Sequence, residues 1–245
     1  PGAIVSAMLY GWPLQLARVH PKLTRCMLVI GINPSHTARP AYYTMLKTLK
    51  NGAKLIVIDP RRTEVAARAD LWLQVKPDTD TALLMSMINV IVNEELYDRR
   101  FVEERCFGFD QLARRAQDYP PEKAAEITWV PAEKIREAAR MYATNRPAAS
   151  LHFVGLEHQP NSIQSLQARY ILPAITGNLD IPGGDLIEGM HPKLIPAAEV
   201  ELMDKLPPEQ KNKQMGADRF KLFSWSAFDL IQKNVKRVWG TQLDN

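Results

Sequence analysis

The sequence predicts an α/β fold, with a parallel sheet flanked by helices. Apolar runs alternate with helical segments over most of residues 1–177. Two of these runs, residues 26–30 and 54–58, stop on polar, turn-forming residues. Continuous apolar runs of this length are typical of strands buried on both faces, as in parallel sheets.

The predicted elements follow one another as strand, helix, strand, short helix, strand and helix. Strands are predicted over residues 26–30, 54–58 and 71–75. Helices are predicted over 39–49, where Asn51-Gly52 provides a stop, briefly after Thr63, and from about residue 80 to Asn93. The apolar face of this last helix consists of Leu83, Met87, Val90 and Ile91. Such alternation is typical of a Rossmann-like sheet with right-handed crossovers.

The remaining sequence adds helices and one more strand. Residues 98–116 have helical periodicity with a break at Gly108, another helix begins near Pro131, and residues 161–175 form a helix that stops at Gly177. Residues 149–154 are predicted to be a strand that ends at Gly155. Residues 1–25 are expected to enter the sheet as a helix or loop, and residues 226–238 are helix-like.

A change of pattern near Gly177 predicts a domain boundary. Residues 1–177 are expected to form a nucleotide-binding α/β domain, and residues 178–245 a partial second α/β domain or an insertion. Regular periodicity is lost after residue 190. Because the sequence begins at Pro1, inside what resembles a structured segment, we expect it to be part of a longer protein.

Composition excludes several classes of protein. The chain has 245 residues, of which 46% are hydrophobic and 24% charged, as in ordinary globular proteins. A net charge of +4 without a basic stripe does not predict nucleic-acid binding. Its two cysteines lack metal-ligand spacing, and no apolar stretch reaches the length of a membrane span. The compartment, cytoplasmic or periplasmic, stays open.

The first candidate motif is Gly31-Ile32-Asn33-Pro34, directly after the first strand. It stands where a dinucleotide-binding enzyme would carry a glycine-rich fingerprint, and the missing glycines disfavour an NAD dehydrogenase. Asn33 offers an amide to a ligand, and Pro34 fixes the turn. The alternative is a plain strand-to-helix turn, because Asn-Pro is a common turn pair.

The second motif is Asp59-Pro60-Arg61-Arg62-Thr63, after the second strand. A carboxylate followed by two guanidinium groups suits a ribose and a phosphate. The alternative is a surface loop whose Asp59 caps the next helix.

Further candidates are two acidic residues and several glycines. Asp78 or Asp80 could accept hydrogen bonds from guanine, or could simply cap the helix that follows. Gly155 ends a strand at the same edge, and His158 and Gln159 after it are candidates for lining the cleft. The turn from Gly177 through Asn178 to Gly183 and Gly184 either lets backbone approach a cofactor or connects two domains. The scattered histidines have no metal-ligand spacing, and His152 is expected to be packed.

In order and spacing, these motifs resemble the molybdenum and tungsten oxidoreductases typified by dimethyl sulfoxide reductase, formate dehydrogenase and periplasmic nitrate reductase. The matching pieces are Gly31-Ile32-Asn33-Pro34, Ile58 to Thr63, Ala69-Asp70, Pro77 to Asp80, Val130 to Ile135, and Thr176-Gly177-Asn178 through Gly183-Gly184. Each piece alone is weak, but the ordered set, over about residues 26–190, is specific.

The resemblance implies a site for molybdopterin guanine dinucleotide, of which such enzymes hold two per molybdenum or tungsten atom. It implies that Asn33 lies near the diphosphate, that Asp59 holds the ribose and that Arg61 lies at the guanosine end. Asp80 would bind the guanine, with Asp78 as a second candidate. The Gly177–Gly184 turn would run near the pterin, although Asp180 and Asp185 stand where the family often has glycine.

The resemblance also implies parts that this sequence does not contain. These are an N-terminal [4Fe–4S] cluster, the residue that ligates the metal, and the remainder of the catalytic subunit. The expected function is therefore a cofactor-binding fragment, inactive alone, of an enzyme that performs two-electron or oxygen-atom transfer on a small molecule, with an iron–sulfur subunit as electron-transfer partner. The alternatives are a non-redox tungsten hydratase like acetylene hydratase, and a non-catalytic nucleotide-binding domain.

Overall fold

The computed structural model describes residues 2–11, 15–187, 205–211, 213 and 233. The chain divides into two compact units. The first comprises Pro1–Gly2 and Gln15–Ile187, and the second comprises Ala3–Leu14 and Glu188–Asn245. In the second unit the described elements are α1 (Gly2–Tyr10), from Ala3 onward, and a short helix over Pro208–Lys211.

A four-stranded parallel sheet organises the first unit, which confirms the predicted fold class. In spatial order its strands are β4 (Leu71–Leu73), β3 (Lys54–Ile58), β2 (Cys26–Ile30) and β5 (Ala148–His152). β2 and β3 have the predicted bounds, whereas β4 and β5 are shorter at their carboxyl ends than predicted. The chain winds outward from β2 in one direction and returns to β5 on its other side, so a topological switch point lies between β2 and β5.

The sheet is buried on both faces. Met27 and Val29 of β2 pack with Leu55 and Val57 of β3 against Met45 of α3 (Arg39–Lys50). Because side chains alternate along a strand, the intervening residues of β2 and β3 point to the other face, and all of them except Lys54 are buried. This two-sided burial explains why the strand sequences are continuous apolar runs.

Eight further helices complete the first unit within its described residues. They are α2 (Pro34–Thr37), α4 (Asp80–Asn93), α5 (Arg99–Arg105), α6 (Phe109–Ala116), α7 (Pro121–Thr128), α8 (Ala132–Thr144), α9 (Val154–Glu157) and α10 (Ser162–Ile175). The short helix predicted after Thr63 is a 3₁₀ turn over Ala66–Arg68. Helix α8 contacts β2, β3 and β4, and α4 packs against α7, α8 and α10. Burial on nearly all sides of α4 extends well beyond the apolar face that its sequence predicted.

A second, two-stranded sheet covers the edge of β5. Its strands, β1 (Gln15–Ala17) and β6 (Asp185–Ile187), are antiparallel. The Asp185 carboxylate accepts a hydrogen bond from Ser150 N of β5 at 2.8 Å and pairs with Arg169 at 3.1 Å. Both side chains of that ion pair are buried, so the edge of the sheet is closed by a charged cluster.

The compact unit extends past the boundary expected at residue 177. Asn178 Oδ1 accepts a hydrogen bond from Ala148 N, and β6 pairs with β1, so residues 178–187 are tied to the first unit. The helix predicted over residues 226–238 falls outside the described residues, apart from position 233. Among the described residues, none of the helices has both the length and the apolar character needed to cross a membrane.

Candidate functional site

Polar residues gather at the carboxyl edge of the parallel sheet. Ile30 lies opposite both Ile58 and His152, so β2, β3 and β5 end at the same level and the residues that follow them meet. A cavity of about 290 Å³ opens there. It is lined by Gly31, Asn33, Ile58, Asp59, Pro60, Arg61, Val75, Pro77, Asp78, Asp80 and Gly155. The structure therefore brings together seven of the thirteen residues that the sequence nominated.

Two glycines in direct contact lie at the switch point in the cavity wall. Gly155 N donates to Gly31 O at 3.0 Å, and Gly31 has a φ of +56°. A Cβ at Gly31 would lie 2.9 Å from Gly155 Cα, and a Cβ at Gly155 would lie 2.7 Å from Gly31 Cα. Neither position accepts a side chain, so bare backbone faces the cavity here.

Asp59 is a buried carboxylate held by its own turn. Its Oδ1 accepts a hydrogen bond from Arg61 N at 2.8 Å, while Trp72 Nε1 donates to its backbone carbonyl at 2.9 Å. The 3₁₀ turn that follows has Val65 at its N-cap position and no side-chain cap, so Asp59 does not cap it. The capping alternative for Asp59 is therefore wrong. Burial raises the pKa of Asp59, and the Arg61 backbone and side chain oppose that shift.

Asp80 is the first residue of α4, and Thr79 occupies the N-cap position without a side-chain capping bond. The alternative in which Asp78 or Asp80 caps this helix is therefore wrong. Asp80 is only 6% exposed, and burial raises its pKa to about 6, with smaller contributions from Asp78 and Asp59. Asp78 lines the same cavity with a φ of +66°.

The contact between Gln159 and Asp80 is the main feature that the sequence did not predict. Gln159 Nε2 donates to Asp80 Oδ2 at 3.1 Å and to Gly155 O at 3.0 Å, which links α4 to the loop after β5. Position alone had indicated that Gln159 borders the cleft. Its contact with Asp80 required knowledge of how α10 packs on α4.

The remaining residues of the first two motifs divide between cavity and surface. Asn33 lines the cavity, where its Oδ1 accepts from Ser35 Oγ at 2.8 Å and its Nδ2 lies 3.1 Å from His36 Nδ1. Pro34 is buried as the first residue of α2 and lies outside the lining. Arg62 is exposed and also lies outside the lining. Arg61 is therefore the cationic side chain of the cavity.

The glycine-rich turn lies at the opposite edge of the sheet from the cavity. Asn178 binds the first residue of β5, and Thr24, just before β2, donates to Gly183 O at 2.7 Å. The carbonyl of Gly177 accepts from Arg146 at 2.8 Å, and Gly184 lies against Asn178. These four residues do not line the cavity, and their approach to the pterin stays a prediction. Their position follows from the topology, because α10 returns the chain to the amino edge.

Comparison with known proteins identifies the family. A family model described as molybdopterin oxidoreductase matches residues 4–189. The chain belongs to the molybdopterin oxidoreductase family.

Individual relatives cover most of this chain. Acetylene hydratase of Syntrophotalea acetylenica is 40% identical over 89% of this chain and 30% of its own length. Formate dehydrogenase H of Escherichia coli is 37% identical over 65% of this chain and 22% of its own length. The solved acetylene hydratase from Pelobacter acetylenicus superimposes with a TM-score of 0.83 and 37% identity over 98% of this chain and 33% of that one. The chain thus spans about a third or less of these relatives.

Two departures from the family's glycines have structural explanations. Asp180 has a φ of +57°, a backbone conformation that glycine adopts most readily and that Asp tolerates better than most residues. Asp185 is fully buried in the ion pair with Arg169. Asp180 therefore adopts the backbone conformation that a glycine would have in the turn, while the Asp185 side chain forms a buried ion pair.

Metal-ligating groups do not cluster in the described part of this family member. No group of three His, Cys, Asp or Glu residues is placed to hold a metal ion there. His152 packs edge-on against Tyr170 with ring centroids 5.6 Å apart, and its Nε2 lies 3.4 Å from Glu157 Oε1. Pairing with His152 lowers the pKa of Glu157 to about 2.

Proposed function

We propose that this chain is the part of a molybdopterin enzyme's catalytic subunit that binds the guanosine portion of molybdopterin guanine dinucleotide. The observation that carries the proposal is the cavity at the switch point, in which two buried carboxylates face bare glycine backbone. In open α/β sheets, ligands bind at that place.

The chemistry of the lining fits a nucleoside. Three carboxylates, Asp59, Asp78 and Asp80, share the cavity with one guanidinium, Arg61. This set favours hydrogen-bond donors, such as ribose hydroxyls and the N–H groups of guanine, over a free phosphate. Asp59 would hold the ribose, Asp80 the guanine, and Arg61 and Asn33 the start of the diphosphate. The negative balance indicates that most cations for the diphosphate come from elsewhere in the subunit.

The Gly31–Gly155 contact also supports the proposal. A cofactor that must pass close to the sheet needs a stretch of backbone without side chains, and here a Cβ on either residue would collide with the other. When bound, the cofactor supplies a metal centre for two-electron or oxygen-atom transfer. This chain contributes binding and orientation.

The test uses the full-length gene product purified without air. Molybdenum and tungsten are measured by mass spectrometry, and GMP is measured after acid hydrolysis. We expect about two GMP per metal atom if the enzyme holds two dinucleotides. A well-folded preparation with neither metal nor GMP would contradict the proposal and favour a non-catalytic nucleotide-binding domain.

The residue assignment is tested in the same protein. Asp59→Ala is expected to lower the GMP content without unfolding the protein, because it removes a buried acceptor from the cavity. Asp118→Ala is the matched control, since Asp118 is exposed and pairs with Arg115 on the surface. Full cofactor loading in Asp59→Ala would defeat the assignment.

A second candidate function is non-redox hydration, as in acetylene hydratase. The observation that favours it is the extent of similarity, which reaches 89% of this chain for that protein against 65% for formate dehydrogenase H. We further propose an iron–sulfur cluster in the same subunit. If the enzyme is an oxidoreductase, we also propose a partner subunit that carries iron–sulfur clusters.

A further inference from the structure

Gln159 lies in the loop between α9 and α10 and is only 8% exposed. Its side chain spans the space between Gly155 O of the α9 turn and the Asp80 carboxylate at the start of α4. Gln159 therefore connects the glycine contact to the most strongly perturbed acid of the cavity.

The orientation of the Gln159 amide is fixed by its partners. Gly155 O and Asp80 Oδ2 are both acceptors, so the donor Nε2 must face them and Oε1 must point away. Within the described residues, Oε1 is buried and makes no hydrogen bond. A buried acceptor without a donor is uncommon in folded proteins.

The charges around Asp80 explain why this contact matters. Burial raises the pKa of Asp80, and the nearby Asp78 and Asp59 carboxylates raise it further. The hydrogen bond from Gln159 is the side-chain contact that acts in the opposite direction. Arg61 lies beside Asp59 in the same cavity. Without Gln159, the Asp80 carboxyl would take up a proton at a higher pH and would present a donor to the cavity.

We propose that Gln159 is a positioning residue for guanine recognition, an inference that rests on the proposed guanosine site. Its Nε2 holds Asp80 as an ionised acceptor in one orientation. Guanine presents N1–H and N2–H₂ donors to such acceptors, whereas adenine presents an acceptor at N1 and no 2-amino group. Gln159 therefore contributes to the choice between the two purines.

The experiment compares two variants, each of which lacks one amide side chain. Both are made as full-length protein in a host that cannot make molybdopterin. Gln159→Met keeps the length of the side chain and removes its hydrogen bonds. Asn161→Leu is the matched control. Asn161 also bridges to the start of α4, but it donates to Asp78 O and Thr81 Oγ1, and it too has a buried, unpartnered amide oxygen.

Affinities for GDP and for ADP are measured by calorimetric titration between about pH 5 and pH 8. The ratio of the two affinities isolates base recognition, because both nucleotides carry the same diphosphate. In wild type, we expect a preference for GDP that falls as the pH drops through about 6. In Gln159→Met, we expect the preference to fall on the order of tenfold, as for the loss of a hydrogen bond to a charged group. The midpoint should also move to higher pH.

Asn161→Leu should keep both the preference and the midpoint. The inference is overturned if Gln159→Met behaves as wild type, or if Asn161→Leu loses as much preference, since the effect would then be a general loosening of the α4 start. A wild type that does not prefer GDP at any pH would instead overturn the proposed guanosine site itself.

Discussion

In the protein without a ligand, the ionised Asp80 side chain destabilises the folded state. The side chain is 6% exposed and lies in the same cavity as two other carboxylates, so its ionised form is destabilised by burial and by like charge. Residues with such perturbed pKa values concentrate at functional sites. A ligand that donates hydrogen bonds can stabilise the ionised carboxylate in place of the water that folding removes. The donors of a guanine base would do this for Asp80.

Asp80→Asn is therefore expected to stabilise the cofactor-free protein at neutral pH while weakening guanine binding. The folded-state pKa of about 6 exceeds the ordinary value of 3.8, so the folded state binds more protons between these values. Stability consequently falls as the pH rises from about 4 to about 6, and the full cost is present above that. Because Asn does not titrate, the variant should be more stable by about 1–3 kcal/mol at neutral pH.

Thermal unfolding of both full-length proteins near pH 4 and near pH 7.5 checks this expectation. The advantage of Asp80→Asn should be present at the higher pH and shrink at the lower one. Greater stability of the wild type at the higher pH would contradict the argument.

At the residue scale, the sequence predicted the site residues that follow the predicted strands. Asp59, Asp80 and Gly31 were identified because they follow apolar runs whose ends must share one edge. Gln159 was not assigned a role, since its contact with Asp80 joins segments 79 positions apart. The position of the turn from Gly177 to Gly184 at the amino edge could not be read from the sequence, because the direction of α10 decides which edge it reaches.

At the scale of elements, the edge of β5 is held by buried charge. Asp185 receives hydrogen bonds from Ser150 N at 2.8 Å and from Gln15 Nε2 at 2.6 Å, in addition to its ion pair with Arg169. The cluster thereby joins β1, β5, β6 and α10. Because both charges are removed from water, each depends on the other.

Asp185→Asn is expected to destabilise the protein by about 3–5 kcal/mol, because Arg169 is left as an uncompensated buried charge. Glu94→Gln, which removes a solvent-exposed pair with Arg140, should cost no more than about 1 kcal/mol. Urea unfolding measures the free energy of unfolding of both variants, and hydrogen exchange at the β5 amides measures the local effect. Equal destabilisation by the two variants would show that burial of the Arg169 pair is not decisive.

Elements were predictable in proportion to their length and pattern. β2 and β3 were predicted with their observed bounds, since runs of five and four consecutive apolar residues leave few alternatives. β1 and β6 have three residues each and no distinctive pattern, so only their pairing reveals them. Their role in closing the sheet depends on Arg169, whose burial no local pattern indicates.

For the whole molecule, the two candidate functions differ in whether turnover transfers electrons between the substrate and an acceptor. If the enzyme is an oxidoreductase, substrate turnover should reduce an artificial dye. If it is a hydratase, product should form from an unsaturated substrate and water without any acceptor. Anaerobic assays of the metal-loaded enzyme, with formate and with acetylene, measure both quantities.

Under the redox function proposed above, we expect turnover to reduce the dye. Under the second candidate function, we expect product without net dye reduction. The apoenzyme is the control for each assay, and product formation without dye reduction would contradict the redox function.

The order of strands in the sheet has a consequence for biosynthesis. A ribosome releases β2, β3 and β4 in succession, but β5 can join β2 only after helices α4 to α8 have emerged. Gly155 and Gln159 emerge later still. The cavity is thus incomplete on the nascent chain until Gly155, the last of its lining residues along the chain, has left the exit tunnel.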